Sequence, residues 1–342
     1  MKAILNITDL EDRLSEPTPG VMETLRTVSG DIIVLGAGGK MGPTLARMAR
    51  RALDQLGHKQ RRVIAVSRFS AAAAAAELER HGVEVMACDL MDRAAVQALP
   101  DAANIIFMAG QKFGTENAPE LTWVMNTVVP GIVAERYAGS RIVVFSTACV
   151  YPFAPVAGPG SREEDPLGPP GDYANSCVGR ERVFSYFAKK LGTRALMYRL
   201  SYAIDLRYGV LADVALKVFS GLPVSVVTGW ANVIWQGDAN ARAIQCLSHA
   251  ASPPIALNVT GMERASIRSL AQRFGELLGR APVITGVESP TGWLFDPSRS
   301  YKWFGPPAVS LEEMIAATAQ WVLEGGATLG KPTHFEVRDG RF

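Results

Sequence analysis

The 342-residue sequence has little of what stapled or metal-dependent folds require. Its four cysteines, Cys88, Cys149, Cys177 and Cys246, show no C-x-x-C spacing, and its four histidines, His58, His81, His249 and His334, lie far apart. That pattern argues against a disulfide framework and against a structural zinc site, so no metal is expected and the thiols read as reduced and mostly buried. Charge of one sign is equally scarce: the formal net charge is +2, and no Lys/Arg cluster is interleaved with aromatics. Such a chain carries no electrostatic footprint for nucleic acid. Long apolar runs are missing too. The N-terminal stretch MKAILNITDLEDRLSEP turns acidic before it reaches signal-peptide length, and no segment approaches the length of a membrane span. The expectation is a cytoplasmic protein whose partner is a small molecule, with neither nucleic acid nor membrane among its partners.

What is present is a globular composition, 48% hydrophobic and 20% charged, on a chain long enough for one large α/β domain and a smaller one. The organising stretch is DIIVLGAGGKMG, residues 31–42. The apolar run Ile32–Leu35 stops at glycines 36, 38, 39 and 42, and Pro43 onward reads as a helix start. A strand that ends in glycines and re-enters as a helix gathers free backbone N–H groups and a positive dipole end at one point, which suits a phosphate. The spacing fits G-x-x-G-x-x-G through Gly36, Gly39 and Gly42, whereas G-x-G-x-x-G fails at Met41. Taken alone, the same run also fits an ordinary strand-to-helix turn.

Ahead of this stretch, residues 1–30 contain one expected helix, Pro19 to Val28, and read as a packing arm. Behind it, apolar residues at 45, 48, 49, 52, 53 and 56 recur at helical spacing, and Val63–Val66 follows as a buried strand. Helix is expected over residues 70–81, strand over 83–87, helix over 94–99, strand over 105–108, helix over 119–137 and strand over 142–145. Regular alternation of this kind predicts a doubly wound parallel sheet. The second strand ends at Ser67 and Arg68 where such units offer an acid to a ribose. An arginine there suits a 2′-phosphate, or is a solvated surface residue.

The fifth strand runs into Ser146-Thr147-Ala148-Cys149-Val150-Tyr151, and Tyr173-Ala174-Asn175-Ser176-Cys177 later opens a helix. Together with the glycine loop, Asp89 after the third strand, Ala109-Gly110 after the fourth, Asn126, Asn258-Val259-Thr260-Gly261 and Ser310-Leu311-Glu312-Glu313, these residues resemble the extended short-chain dehydrogenase/reductase superfamily. The resemblance is to its NAD(P)-dependent sugar epimerase/dehydratase group and runs from Asp31 to about Val322. It implies an NAD(P)-dependent oxidoreductase or epimerase acting at a hydroxyl-bearing carbon of a sugar-like molecule, on a Rossmann-type fold. It further implies that Gly36, Gly39 and Gly42 face the cofactor pyrophosphate, Asp89 the adenine, and Ala109 and Gly110 the cofactor along strand four. Lys40, Met41, Leu90, Asn126 and Tyr173 complete the expected cofactor wall, and Arg68 tilts the choice toward NADP. Thr147 would hold the substrate oxygen and Tyr173 would move its proton. Glu181 reads as structural. A homodimer through the helices carrying Asn126 and Tyr173 is also implied.

One departure stands out. The family pattern is Y-x-x-x-K, and its lysine position is Cys177 here. A tyrosine of pKa about 10 needs roughly 4 kcal/mol of anion stabilisation to act as a base near neutrality, and a thiol offers no positive charge. Arg180, two helical turns beyond Tyr173, or Arg182 could serve instead. Alternatively the protein binds a dinucleotide without redox turnover, as a sensor or scaffold. A Cys177 nucleophile lacks a nearby histidine in sequence to activate it.

In the C-terminal part, strand is expected over 195–200, helix over 212–220, extended chain over 224–228, and helices to Leu247, over 266–278 and over 310–323. Asp238 is expected to cap the helix to Leu247. Tyr202, Arg207, Trp230 and Trp235 line either a substrate pocket or the core, and His334 reads as a surface residue. The resulting organisation is an N-terminal extension (1–30), a Rossmann-type NAD(P)-binding domain (31–200, with 225–250 returning to it) and a smaller substrate-binding domain (201–224 and 251–342).

Overall fold

Ile32–Leu35, the run that feeds the glycine loop, is an interior strand (β1) of a seven-stranded sheet in the computed structural model, which describes residues 4–112, 118–331 and 333–340. The others are β2 (Val63–Ser67), β3 (Glu84–Ala87), β4 (Asn104–Phe107), β5 (Arg141–Thr147), β6 (Arg194–Leu200) and β7 (Ile255–Val259). All pair in parallel, in the order β7-β6-β5-β4-β1-β2-β3. Strand order reverses between β1 and β4, and in such sheets a crevice opens beyond the strand ends at that point. β1, β4 and the body of β5 are apolar because helices cover both faces. Leu45, Met48, Ala49, Ala52 and Leu53 of the Gly42–Gln55 helix pack on one face with Val21 and Leu25 of the N-terminal arm, while Val96, Ile132, Val133 and Phe184 cover the other.

The arm contains two helices rather than the one expected: Ile7–Leu14 precedes Pro19–Thr27, each started by a side-chain cap, Asn6 and Thr18. Leu10 and Leu14 are fully buried, and Asp12 pairs with Arg47. The expected helix over 119–137 is interrupted. Pro130 has no N–H to give to Asn126, so the chain widens into a π segment at Val124–Val128, where the Val129 N–H reaches back to the Val124 carbonyl.

The return to the sheet extends beyond the expected 225–250. The Gln236–Gln245 helix packs against the sheet's helices, and Ile255–Val259, assigned from sequence to the substrate-binding part, is the edge strand β7. Asp238 does not cap that helix, which starts at Trp235; its carboxylate instead accepts from the Val309 N–H at 3.1 Å. A separate apolar cluster forms around the helices Val210–Ser220, Ile267–Leu278 and Leu311–Leu323. No helix among the described residues is long and apolar enough to cross a membrane.

A buried polar chain ties β5, β6 and β7 to the loop beyond β5. Arg199 donates from Nε and Nη2 to the two oxygens of Glu181 at 3.0 and 2.7 Å, and Ser146 Oγ donates to Glu181 Oε1 at 2.6 Å. Arg199 Nη1 donates to Tyr151 Oη, which donates to Asn258 Oδ1, and the Asn258 N–H donates to Glu163. Glu181 is therefore structural, as expected. Arg199→Met would leave its carboxylate buried and unpaired, so stability in urea denaturation should fall by about 3–5 kcal/mol. A loss under about 1 kcal/mol would mean that the pair is as weak as a surface ion pair.

Candidate active site

The glycine loop is fixed by contacts that only glycine permits. Gly36 has φ +86°, and a Cβ there would lie 2.6 Å from the Ala109 amide nitrogen, so β1 and β4 could not converge if it carried a side chain. The Gly36 and Ala37 N–H groups donate to the Val66 carbonyl at 2.8 and 3.1 Å, anchoring the turn to β2. At Gly39 the nearest atom to an added Cβ is 3.5 Å away, leaving the loop open on its outer side. The helix that follows starts at Met41 with no side-chain cap, so its first N–H groups are turned to the crevice without a side-chain acceptor.

Two cavities meet at this loop, sharing Gly36, Gly39 and Met108. One, of about 480 Å³, is lined by Ser67, Arg68, Asp89, Leu90, Ala109 and Gly110. The other, of about 290 Å³, is lined by Lys40, Met41, Gly42, Lys112, Thr147, Cys149, Tyr173 and Tyr202. A glycine cradle with a chamber on either side suits a dinucleotide, its phosphates at the loop and one nucleoside in each chamber. Of the expected cofactor residues, all but Asn126 line these chambers.

Asn126 lies beneath them, fully buried. Its amide accepts from the Gln111 N–H and donates to the Gln111 carbonyl, both at 3.0 Å, and it also bonds Ser176 and Arg180. It clamps the segment leaving β4. Arg180 is likewise buried under the site, donating to the Phe145 carbonyl at 2.7 Å and to Asn126, while Arg182 is exposed.

Thr147 and Tyr173 are brought to one cavity. Thr147 Oγ1 accepts from the Cys149 N–H at 3.1 Å, which orients its hydroxyl at the end of β5. Tyr173 opens the Asp172–Leu191 helix, whose entry at Gly171, φ +79°, packs against Gly340 of the C-terminal tail. Burial holds the Tyr173 phenol well above its usual pKa, the Cys177 and Cys149 thiols add to this, and the Arg180 charge opposes it. Burial also raises the Cys177 thiol, which stays neutral rather than nucleophilic.

Several side chains fall elsewhere. Trp235 is in the core, Arg207 is tied to Asp205 and Glu11, and His334 is exposed beside a different cavity with Asp213 and Lys217. Tyr202 does reach the Tyr173 cavity, and its φ of +39° is a strained backbone conformation of the kind found at functional sites. Sequence reasoning missed the two ammonium groups there. Lys40 was expected only as part of the cofactor wall, yet its Nζ donates to the Ala203 carbonyl at 2.7 Å and lies 4.5 Å from the Tyr208 ring centre. Lys112 follows β4 in a segment with no motif.

A family model described as the NAD dependent epimerase/dehydratase family matches residues 32–206, just over half of the chain. The chain is similar in structure to the UDP-glucose 4-epimerase of Thermus thermophilus complexed with NAD, at 19% identity and a TM-score of 0.69, covering 85% of this chain and 98% of that one. It is also similar to the dTDP-glucose 4,6-dehydratase of Bacillus anthracis in complex with NAD, at 15% identity and a TM-score of 0.72, covering 86% and 96%. No curated protein matches it in sequence.

Burial lowers the Lys40 ammonium to about 8 from 10.5, against the opposing pull of Asp205. Between those values the unfolded chain holds a proton that the folded chain has released, so the full cost is present below about pH 8 and stability recovers as pH rises through the window. Relative to Lys40→Met, the native chain should gain about 1 kcal/mol per pH unit above pH 8 in urea denaturation. A difference independent of pH would show that Lys40 is not desolvated.

Proposed function

The chain belongs to the NAD-dependent epimerase/dehydratase family, and we propose that this enzyme exchanges hydride between NAD(P) and a hydroxyl-bearing carbon of a sugar or sugar-like molecule. The observation that carries this reading is that Thr147 and Tyr173 share one cavity with the glycine loop. The bound nicotinamide would supply the hydride acceptor or donor. The chain's own residues do the rest. Tyr173, as phenolate, takes the proton of the substrate hydroxyl while the hydride leaves that carbon with its electron pair and the carbonyl forms; the reverse step returns both. Thr147 Oγ donates to the same oxygen as it becomes a carbonyl. The loop at Gly36, Gly39 and Gly42 would face the pyrophosphate, and Asp89 would face the adenosine. General acid–base help of this kind is worth about 10²–10⁴ in rate.

Arg68 lines the adenosine chamber at the tip of β2, with Ser67 beside it where a family acid would repel phosphate, and this supports NADP over NAD. Leu121, Trp123, Val128 and Tyr186 are exposed on the helices flanking Asn126 and Tyr173, which supports a homodimer through those helices. The reading without turnover draws on the neutral Cys177 beside a phenol raised by burial.

The first test is titration with NAD(H) and NADP(H), followed by nicotinamide absorbance across a panel of free and nucleotide-linked sugars. Saturable binding and turnover are expected, with no saturable binding overturning the proposal at its root. Tyr173→Phe should lower kcat by about 10²–10⁴ and leave dinucleotide affinity near the native value; an unchanged kcat would remove Tyr173 from the chemistry. Arg68→Ala should weaken NADP(H) by about tenfold while sparing NAD(H), a selective loss of about 1.4 kcal/mol. Equal loss for both would refute the 2′-phosphate contact.

A further inference from the structure

We propose that Lys112 supplies, from the segment after β4, the positive charge that the Tyr173 helix lacks at Cys177. This inference rests on Tyr173 being the proton-transfer group of the reading above. Position 177 on the helix holds a buried thiol, so no cation reaches the phenol from one turn away. The β4 segment comes to the same place from the opposite wall. Its residue Gln111 is bonded through both its N–H and its carbonyl to the buried Asn126, so Lys112 leaves from a fixed point rather than from a loose loop. Lys112 lines the cavity with Thr147, Cys149 and Tyr173. Its Nζ donates to the Thr333 carbonyl of the C-terminal tail at 3.4 Å, and an ammonium has three donors to distribute.

The groups that act on the Lys112 charge locate it. Burial lowers its pKa, and the groups that counter this are Cys149, Asp213 and Cys177. Cys177 is the helix position where the family carries its lysine, and Cys149 sits two residues after Thr147. The Lys112 ammonium therefore faces the cavity that Thr147, Cys149 and Tyr173 line, on the side of the C-terminal tail, with Lys40 also within its field.

Of the other groups around Tyr173, the Arg180 charge favours the phenolate but leaves the phenol well above its usual pKa. Arg180, on the same helix, is committed to the Phe145 carbonyl and Asn126 beneath the cavity. Lys40, from the glycine loop, is held at the Ala203 carbonyl with Asp205 as the charge that favours it. Cys177 and Cys149 raise the phenol, and Tyr202 and Tyr208, on the far wall, are neutral phenols at physiological pH. A cation is needed on the wall that Lys112 occupies, and loading the hydroxyl of a substrate between Thr147 and Tyr173 would place it within that ammonium's field.

The test reads the titration of Tyr173 itself. The full chain, labelled with tyrosine carrying carbon-13 at Cζ and saturated with NAD+ or NADP+, is followed by NMR from pH 6 to 11, with Tyr173→Phe assigning the resonance. The native Tyr173 should titrate below pH 10, and Lys112→Met should raise its midpoint by at least one unit or abolish titration up to pH 11. Lys112→Arg should restore most of the shift, and Cys177→Lys in the Lys112→Met background should return the midpoint toward the native value. A native Tyr173 that stays protonated to pH 11, or a midpoint that Lys112→Met leaves in place, overturns the proposal. If Lys112→Met does not fold, Lys112→Gln is titrated with the same two readings. Dinucleotide affinity measured on the same samples separates these outcomes from a failure of cofactor binding, which would strike the functional reading instead.

Discussion

The guanidinium of Arg180 is the contact on which the walls of the cleft depend. It lies between the sheet and the Tyr173 helix, donating to the end of β5 through the Phe145 carbonyl and to Asn126. Asn126 in turn holds Gln111 by both backbone groups, so one buried charge links the strand that carries Thr147, the helix that carries Tyr173 and the segment that carries Lys112. Its two Nη groups have a carbonyl and an amide oxygen as acceptors, neutral partners that do not cancel its charge. The charge thus remains available to the electrostatics of the site while the donors serve its architecture.

The π segment makes this arrangement possible. Pro130 forces the helix open, and the widened turn carries Asn126, which reaches inward to the Gln111 backbone. A regular helix over the same residues would wind Asn126 to another azimuth. On the opposite side, the Glu181–Arg199–Tyr151–Asn258 chain fastens β5, β6 and β7 into one rigid floor. The C-terminal tail closes the remaining side, with Thr333 bonded to Asp213 and Glu336 paired with Lys217.

How much of this could be read from the chain depended on whether a residue's role is local. The strand, glycine turn and helix at residues 31–55 were legible, because Gly36 and Gly42 mark close backbone approaches that a side chain would block. Thr147 and Tyr173 were legible through their family pattern, and the structure brings them to one cavity. The Ile7–Leu14 helix was hidden by its acidic composition, and β7 by a run too short to distinguish from a loop. Asn126 was placed on the cofactor wall by the family resemblance, and the π segment that turns it inward has no sequence signature beyond Pro130. Asp238 was taken for a cap because its true partner, Val309, is remote in sequence. Lys112 was invisible for the same reason: its meaning comes from Asn126, Cys149 and Cys177, none of which is its neighbour along the chain.

The clamp on Gln111 also alters how such a site can change over generations. A tyrosine and a lysine four residues apart on one helix are inherited as a unit, kept in register by the helix itself. Here the phenol and the Lys112 ammonium sit on different elements, so a single insertion after β4 would move one without touching the other. Mutational drift in the length of that segment, more than in the helix, is what this architecture exposes to selection.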